Sequence, residues 1–249
     1  MKISIITVVW NNKKTIKYAI DSVLNQTYKN IEYIIIDGAS TDGTINIVKS
    51  YGDKISKFIS EPDKGLYDAM NKGITLATGD IVGILNSDDF YIDNFVIEKV
   101  VQKFEEKKVD SVFTDLVFVK PENLDKTVRY YDSSKFNPSK FAYGWMPAHP
   151  TFFVKREIYE KYGVFKLDYK IAADYEILVR FLEKYKISYF YMNEVIIKMR
   201  IGGISTSGLK SNYILNKEII RACKENGIKT NWLKVLSKYP SKILGLFKR

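Results

Sequence analysis

The chain of 249 residues holds one cysteine, one histidine and six prolines. With Cys223 alone, neither an internal disulfide nor a cysteine-ligated zinc site can form. Cys223 falls in the apolar-periodic stretch Ile219-Ile220-Arg221-Ala222-Cys223 and reads as a packed helix residue. No window reaches the ~18 uninterrupted apolar residues of a membrane span. A single lysine followed by the short run Ile3–Val9 makes a poor secretory signal, so the expected location is the cytoplasm. No G-x-G-x-x-G follows the first strand pattern and no P-loop is present, which argues against dinucleotide oxidoreductases and P-loop kinases. RNP, zinc-finger and helix-turn-helix signatures are missing too, so the net charge of +10 is not read as nucleic-acid binding. It points instead to a phosphorylated substrate or an acidic membrane surface.

What is present is a hydrophobic fraction of 46%, 14% of the chain being aromatic, enough for a substantial core. Strand and helix patterns alternate through the first half. Ile3–Val9 reads as a buried strand, and Asn11 and Asn12 as caps of a helix carrying Ile16, Ala19, Ile20, Val23 and Leu24. Residues 33–36 form a second strand pattern ending at Asp37, 44–51 a helix, Lys57–Ser60 a strand, 66–78 a helix closed by Gly79, and 80–85 a strand. The alternation predicts an α/β fold, a doubly wound, mostly parallel sheet with flanking helices. Further on, the patterns predict a helix over 95–107, a strand pair or bent strand over 111–119 and a mobile loop region over 120–143. A strand over 151–154, helices over 156–162 and 174–185, one or two strands within 187–200 and basic helix from 211 complete the reading.

In open α/β sheets, ligands bind beyond the carboxyl ends of the strands, and here acids collect where the second and fourth strands stop. Asn86-Ser87-Asp88-Asp89 offers adjacent carboxylates to a hard divalent cation that bridges a diphosphate. Asp37 can accept the imide N–H of uracil or thymine, with the small residues up to Ser40 letting a ring approach, while Asp42 to Thr44 double as a helix cap. Asp63 and Gly65 precede a helix on which Asp68 and Asn71, three apart, share a face and can line a donor pocket. Asp174 or Glu176 can take the proton of an attacking hydroxyl. His149 is placed to contact an acceptor or phosphate, and Arg200 with the turn Gly202-Gly203-Ile204-Ser205 to clamp a phosphate under a closing loop.

Taken in order, these elements resemble the family 2 glycosyltransferases of the GT-A fold, notably those that build bacterial O-antigen, capsule or other exopolysaccharide. Residues 37–44 match that family's DGSxDGT segment, 61–73 its ExDxGxYDAxNKG run, 86–89 its DxD, and 174–176 its ED-type motif. The resemblance implies a GT-A domain over 1–205, with a nucleotide-binding half to about 115 and an acceptor half beyond, followed by a helical basic segment over 206–249. It implies a nucleotide sugar donor, UDP-linked by preference, and Mn²⁺ or Mg²⁺ on Asp88 and Asp89. Nucleotide contacts are expected from Thr7, Val9, Asn11, Asp37, Ser40, Asp63, Gly65, Asp68, Asn71, Ser87 and Asp88. Asp174 is the implied general base, with Glu176 the alternative, in an inverting transfer to a glycan or lipid-linked acceptor. His149, Arg200 and Ser205 are the implied acceptor or phosphate contacts. The chain departs from the pattern with Asn86 for the first acid of the metal motif, Ala173 before Asp174, and no proline after Val9. The rivals are a nucleotidyltransferase, whose usual glycine-rich loop is replaced here by Trp10-Asn11-Asn12, and a silent relative that binds nucleotide without transfer.

Projected on a helix, Trp232, Leu236, Tyr239, Ile243, Leu246 and Phe247 fall on one side of the tail and Lys234, Lys238 and Lys242 on the other. Despite Pro240, that pattern fits an interfacial helix on the inner face of the cell membrane, where lipid-linked acceptors reside.

Overall fold

The structure is a computed structural model in which residues 1–202 and 208–239 are described. Its centre is β1 (Ile3–Val9), buried at all seven positions. The strand serves two cores at once. Ile3, Ile5 and Val9 join a cluster on one face of the sheet, and Ile6 and Val8 join another on the opposite face. On the first face lie α1 (Ile16–Leu24), which buries Ile16, Ala19, Ile20 and Val23, and α4 (Val96–Lys107). On the second lie α3 (Leu66–Leu76), α6 (Ala173–Val179) and α7 (Leu209–Glu225).

β1 pairs in parallel with β2 (Ile31–Asp37) and β4 (Ile81–Ile84), and β2 with β3 (Lys57–Ser60). β8 (Phe153–Lys155) runs antiparallel to both β4 and β6 (Ser111–Lys120), so β6 points the same way as β1. β9 (Tyr189–Arg200) is parallel to β6, and β5 (Phe90–Tyr91) is antiparallel to β9. The nine-stranded sheet has the order β3-β2-β1-β4-β8-β6-β9-β5, with β7 (Asn123–Tyr131) paired to β6. The other α-helices among the described residues are α2 (Thr44–Lys49), α5 (Arg156–Tyr162) and α8 (Trp232–Leu236).

Several expectations change. Residues 120–143 are not a mobile loop: β7 and a 3₁₀ turn over Pro138–Tyr143 occupy most of them. β7 is exposed along nearly its whole length, so its polar composition is that of a solvated edge strand. α3 ends at Leu76, because the Glu32 carboxylate takes the N–H of Thr78 at 2.7 Å and its hydroxyl at 2.8 Å, drawing the chain out of the helix. Asn11 and Asn12 are not side-chain caps of α1, whose cap residue is Thr15. β9 is one strand, and α6 passes into a π-helical turn over Arg180–Lys184. β5 was not expected. β6 spans residue 115, and strands from both sides of it share one sheet. α7 belongs to the core through Ile219, Ala222 and Cys223. Lys238, expected on the basic side of the tail, is buried beside Gly144. Ser205 and residues 240–249 lie outside the described residues. Among the described residues, no helix is long and apolar enough to cross a membrane.

Gly73 marks the closest approach of α3 to the sheet: a Cβ there would sit 2.4 Å from Cγ2 of Ile6. Ile6 is buried and β-branched, so it has little room to yield. Gly73→Ala should therefore destabilise the fold by about 1–3 kcal/mol, although alanine is the better helix former. Urea denaturation checks this, and a more stable variant would contradict the packing described.

Candidate active site

Because β1, β2, β4 and β9 are parallel, their ends at Val9, Asp37, Ile84 and Arg200 share one rim. β8 starts at that rim, which brings His149 there from just upstream. The loops are stitched together. The Asn12 amide donates to Ser87 Oγ at 2.9 Å, and its N–H to Thr44 Oγ1 at 3.0 Å. Asn11, with φ of 46°, donates its N–H to Ser40 Oγ at 2.7 Å and accepts from Thr41 N–H at 2.8 Å.

Asp37 is fully buried. Its Oδ2 accepts from Ser40 N–H at 2.9 Å and from the Ser60 hydroxyl at 2.7 Å, whereas its Oδ1 has no partner. A buried carboxylate oxygen without a donor is costly unless a ligand supplies one. Beside it, a Cβ on Gly38 would fall 2.5 Å from Asp63 Oδ2 and 3.4 Å from the indole of Trp10. Gly38 thus lets the Asp63 carboxylate and the exposed Trp10 ring close in on the end of β2, framing a slot for a flat group. Asp63 Oδ1 accepts from Gly65 N–H at 2.7 Å.

Other residues expected at the nucleotide have internal work. The Thr7 hydroxyl is buried against Tyr33 at 3.0 Å, and the Val9 carbonyl accepts from Gly38 N–H. Asp68 accepts from Lys64 N–H at 2.9 Å, tying the loop before α3 to its first turn. Asn71 spends both ends of its amide on Phe165, donating to the carbonyl at 2.8 Å and accepting from the N–H at 2.9 Å.

At the end of β4, Asp89 is buried with Oδ2 accepting from the Asn86 amide at 3.1 Å, while Asp89 Oδ1 and Asn86 Oδ1 have no partners. Burial first, and then the adjacent Asp88 charge, hold Asp89 well above the usual carboxylate range. Asp88 is half-buried at the rim, and its carbonyl accepts from Arg200. The Arg200 guanidinium lies 4.7 Å from the Tyr18 ring and 4.9 Å from the Phe90 ring. Among the described residues, no group of three or more His, Cys, Asp or Glu forms a metal cluster. Mg²⁺ and Mn²⁺ sites that use substrate phosphates need only one or two carboxylates, and two unpartnered oxygens beside an acid pair suit such an ion.

Asp174 opens α6, with Oδ1 accepting from Tyr175 N–H at 2.8 Å. It lines a cavity of about 220 Å³ with Asn86 and His149, closed on other sides by Leu66, Met70 and Phe118. Enclosure pushes the Asp174 carboxyl up, with His149 and the Tyr67 hydroxyl pulling the other way. Enclosure also pushes His149 below the usual imidazole value, so a neutral imidazole faces the same space. Glu176 does not reach the cavity. It is fully buried between Arg180 at 2.9 Å and Lys166 at 3.2 Å. Two positioning groups were not expected. Glu218 on α7 takes the N–H groups of Lys170, Ile171 and Ala172 at 2.8 to 2.9 Å, and Tyr67 donates to the Ile171 carbonyl. Tyr67 stands inside the 61–73 run, but nothing in the sequence tied Glu218 to this loop. A second, wider depression of about 600 Å³ by Asp110 lies at the opposite end of the sheet, where β6 and β9 begin, and the Asp110 carboxylate there is spent on Ser188 and Lys155.

The sequence profile of Glycosyl transferase family 2 matches residues 4–163. The chain belongs to that family. An uncharacterised glycosyltransferase of Rickettsia typhi is 31% identical over 230 residues, covering 88% of this chain and 70% of its own length. A PGL/p-HBAD biosynthesis glycosyltransferase of Mycobacterium bovis is 25% identical over 223 residues, covering 88% and 82%. In three dimensions the chain is similar to S. aureus TarS 1-349 in complex with UDP-GlcNAc, with a TM-score of 0.69 at 16% identity over 89% of this chain and 66% of that one. It spans only 39% of a longer TarS chain. The mannosyltransferase PcManGT from Pyrobaculum calidifontis, in complex with GDP-Man and Mn²⁺, gives a TM-score of 0.62 at 18% identity over 99% and 81%. The mostly parallel sheet with flanking helices is the GT-A fold of these neighbours. A family 2 member is a sugar-transferring enzyme, and the motifs at 37–44, 61–73 and 86–89 all lie inside the matched span.

Proposed function

We propose that this glycosyltransferase moves a sugar from a UDP-linked donor to a hydroxyl of a glycan or lipid-linked acceptor in building a bacterial surface polysaccharide, inverting the anomeric carbon. One juxtaposition carries the reading. The unpartnered Asp37 oxygen, the Asp88–Asp89 pair and the cavity-facing Asp174 all stand on one rim of the sheet.

Each group has a role that follows from its surroundings. Asp37 Oδ1 accepts the imide N–H of uracil, its other oxygen being held by Ser40 and Ser60. Asp88, with Asp89 behind it, would hold Mn²⁺ or Mg²⁺, which supplies neutralisation of the charge on the departing diphosphate. Asp174 takes the acceptor hydroxyl's proton while that oxygen attacks the anomeric carbon opposite the leaving group. The bond to the donor phosphate oxygen breaks as the glycosidic bond forms, and one displacement inverts the centre. Neutral His149 orients the acceptor across the cavity. Arg200 steadies the acid pair through the Asp88 carbonyl. The complexes of TarS with UDP-GlcNAc and of PcManGT with GDP-Man support a nucleotide sugar as donor.

Calorimetric titration with UDP and CDP in Mn²⁺ tests the donor assignment. Cytosine presents a lone pair where uracil has its N–H, so UDP should bind at least about tenfold more tightly than CDP. Asp37→Ala should erase that preference and weaken UDP by about 10- to 100-fold. Equal affinities for the two nucleotides would remove uracil from the proposal.

A further inference from the structure

The C-terminal corner carries a surface that the transfer reaction does not use. α7 buries Ile219, Ala222 and Cys223 and turns Lys210, Tyr213, Lys217 and Lys224 to solvent. Their spacings of three, four and seven residues set them on one stripe. No ion pair engages these three lysines among the described residues.

The indole of Trp232 stacks on Tyr213, with ring centres 5.6 Å apart and planes at 15°. Next to it on α8, Leu233 is 82% exposed and Leu236 41% exposed. The helix is fixed in this attitude. Val235 on its opposite side is fully buried, and the Asn231 side chain caps the first turn by accepting from Lys234 N–H at 2.9 Å. Rolling α8 to hide Leu233 would expose Val235. Lys234 stands 5.7 Å from the exposed Tyr143 ring. Aromatic and leucine side chains held outward beside unpaired lysines are therefore a built feature of this corner.

We propose that this corner docks on an anionic lipid surface. Trp232, Leu233 and Leu236 enter the boundary between headgroups and acyl chains, and Lys210, Lys217, Lys224 and Lys234 lie against lipid phosphates. Indole and phenol rings favour that boundary, where one edge is apolar and the other wet. Leucines supply the apolar insertion, and the lysine stems reach back to the headgroups. The chain's net charge of +10 draws it to such a surface. Charge complementarity selects this occupant. A second copy would set lysines against lysines, and a nucleic acid would leave Leu233 and Leu236 in water. After residue 239 the sequence holds the same mixture of residue types, with Lys242, Ile243, Leu246, Phe247, Lys248 and Arg249. This inference does not depend on the donor, the acceptor or the base.

The test is co-sedimentation of the full chain with vesicles of phosphatidylglycerol and phosphatidylcholine in equal parts, and with phosphatidylcholine alone. The parent should bind the anionic vesicles and lose binding as salt rises. Leu233→Glu with Leu236→Glu should reduce the partition coefficient at least about tenfold, and Lys210→Glu, Lys217→Glu and Lys224→Glu together by on the order of a hundredfold, each lysine being worth roughly fivefold near such a surface. The circular dichroism melts of both variants should match the parent, since every substituted side chain faces water. Ile243→Glu with Phe247→Glu controls for the residues beyond 239. Parent-like sedimentation of both patch variants, or loss of binding in the control variant alone, overturns the proposal. A fall in light-scattering mass in the patch variants, with vesicle binding unchanged, overturns it in favour of a second copy.

Discussion

Asp174→Asn should leave UDP affinity within a factor of about three and cut turnover by on the order of 10²- to 10⁴-fold, the range that a positioned proton acceptor supplies. The asparagine keeps the volume and can still accept from Tyr175 N–H, so the start of α6 is retained. The pH profile adds a second reading. Enclosure raises the Asp174 carboxyl above its ordinary value, and only the ionised form can take a proton. The acid limb of the rate profile should therefore fall at a higher pH than a free aspartate would give, and it should vanish in the variant. Stability runs the other way. A carboxyl whose folded value is raised favours folding while protonated, and that contribution is lost as pH rises through the folded value. Above that value, where the carboxyl is charged inside its enclosure, the asparagine variant should melt no lower than the parent. Parent-like turnover in single-turnover assays would strip Asp174 of the role.

Asp88→Ala should abolish the Mn²⁺-dependent part of UDP binding and lower turnover by on the order of 10³-fold, several kcal/mol of charge stabilisation at the leaving diphosphate. The half-buried Asp88 stands at the rim, and the bond to Arg200 runs through its carbonyl, which alanine retains. Titration calorimetry in Mn²⁺ and again in EDTA separates the two contributions. If the variant binds UDP in Mn²⁺ as tightly as the parent does, the acid pair is not the metal site. Asp88→Asn gives a graded comparison, keeping one oxygen and removing the charge.

Much of the architecture was legible because β1, β2 and β4 are almost wholly buried and read as largely apolar runs between turn residues. The limits of β1, β3 and α5 coincide with the expected ones. β7 was hidden by the same logic, since a strand exposed along its length carries no apolar signature. The placement of β8 between β4 and β6 was equally hidden, as three residues carry no record of their partners. At the site, the types of residue were legible and their obligations were not. Asp37 and Asp88 stand at the rim as their strand-end positions suggested. Asn71 shares a face with Asp68, yet its amide is consumed by Phe165, a residue 94 positions away. Glu176 and Asp174 are two apart in sequence, and only burial separates them, the former inside a salt-bridged core and the latter beside a cavity.

The bonds from α3 to the second half of the chain set a dimension of the enzyme. Asn71 grips residue 165 and Tyr67 grips residue 171, so the helix that follows the 61–65 loop also gauges how far Asp174 stands from the donor slot. The spacing between that slot and the Asp174 cavity is thus calibrated by a helix that also lends Leu66, Tyr67 and Met70 to the cavity wall. The hairpin of β6 and β7 lends Leu116, Phe118 and Tyr131 to the same cavity yet makes none of those bonds, so its side chains can change while the spacing stays.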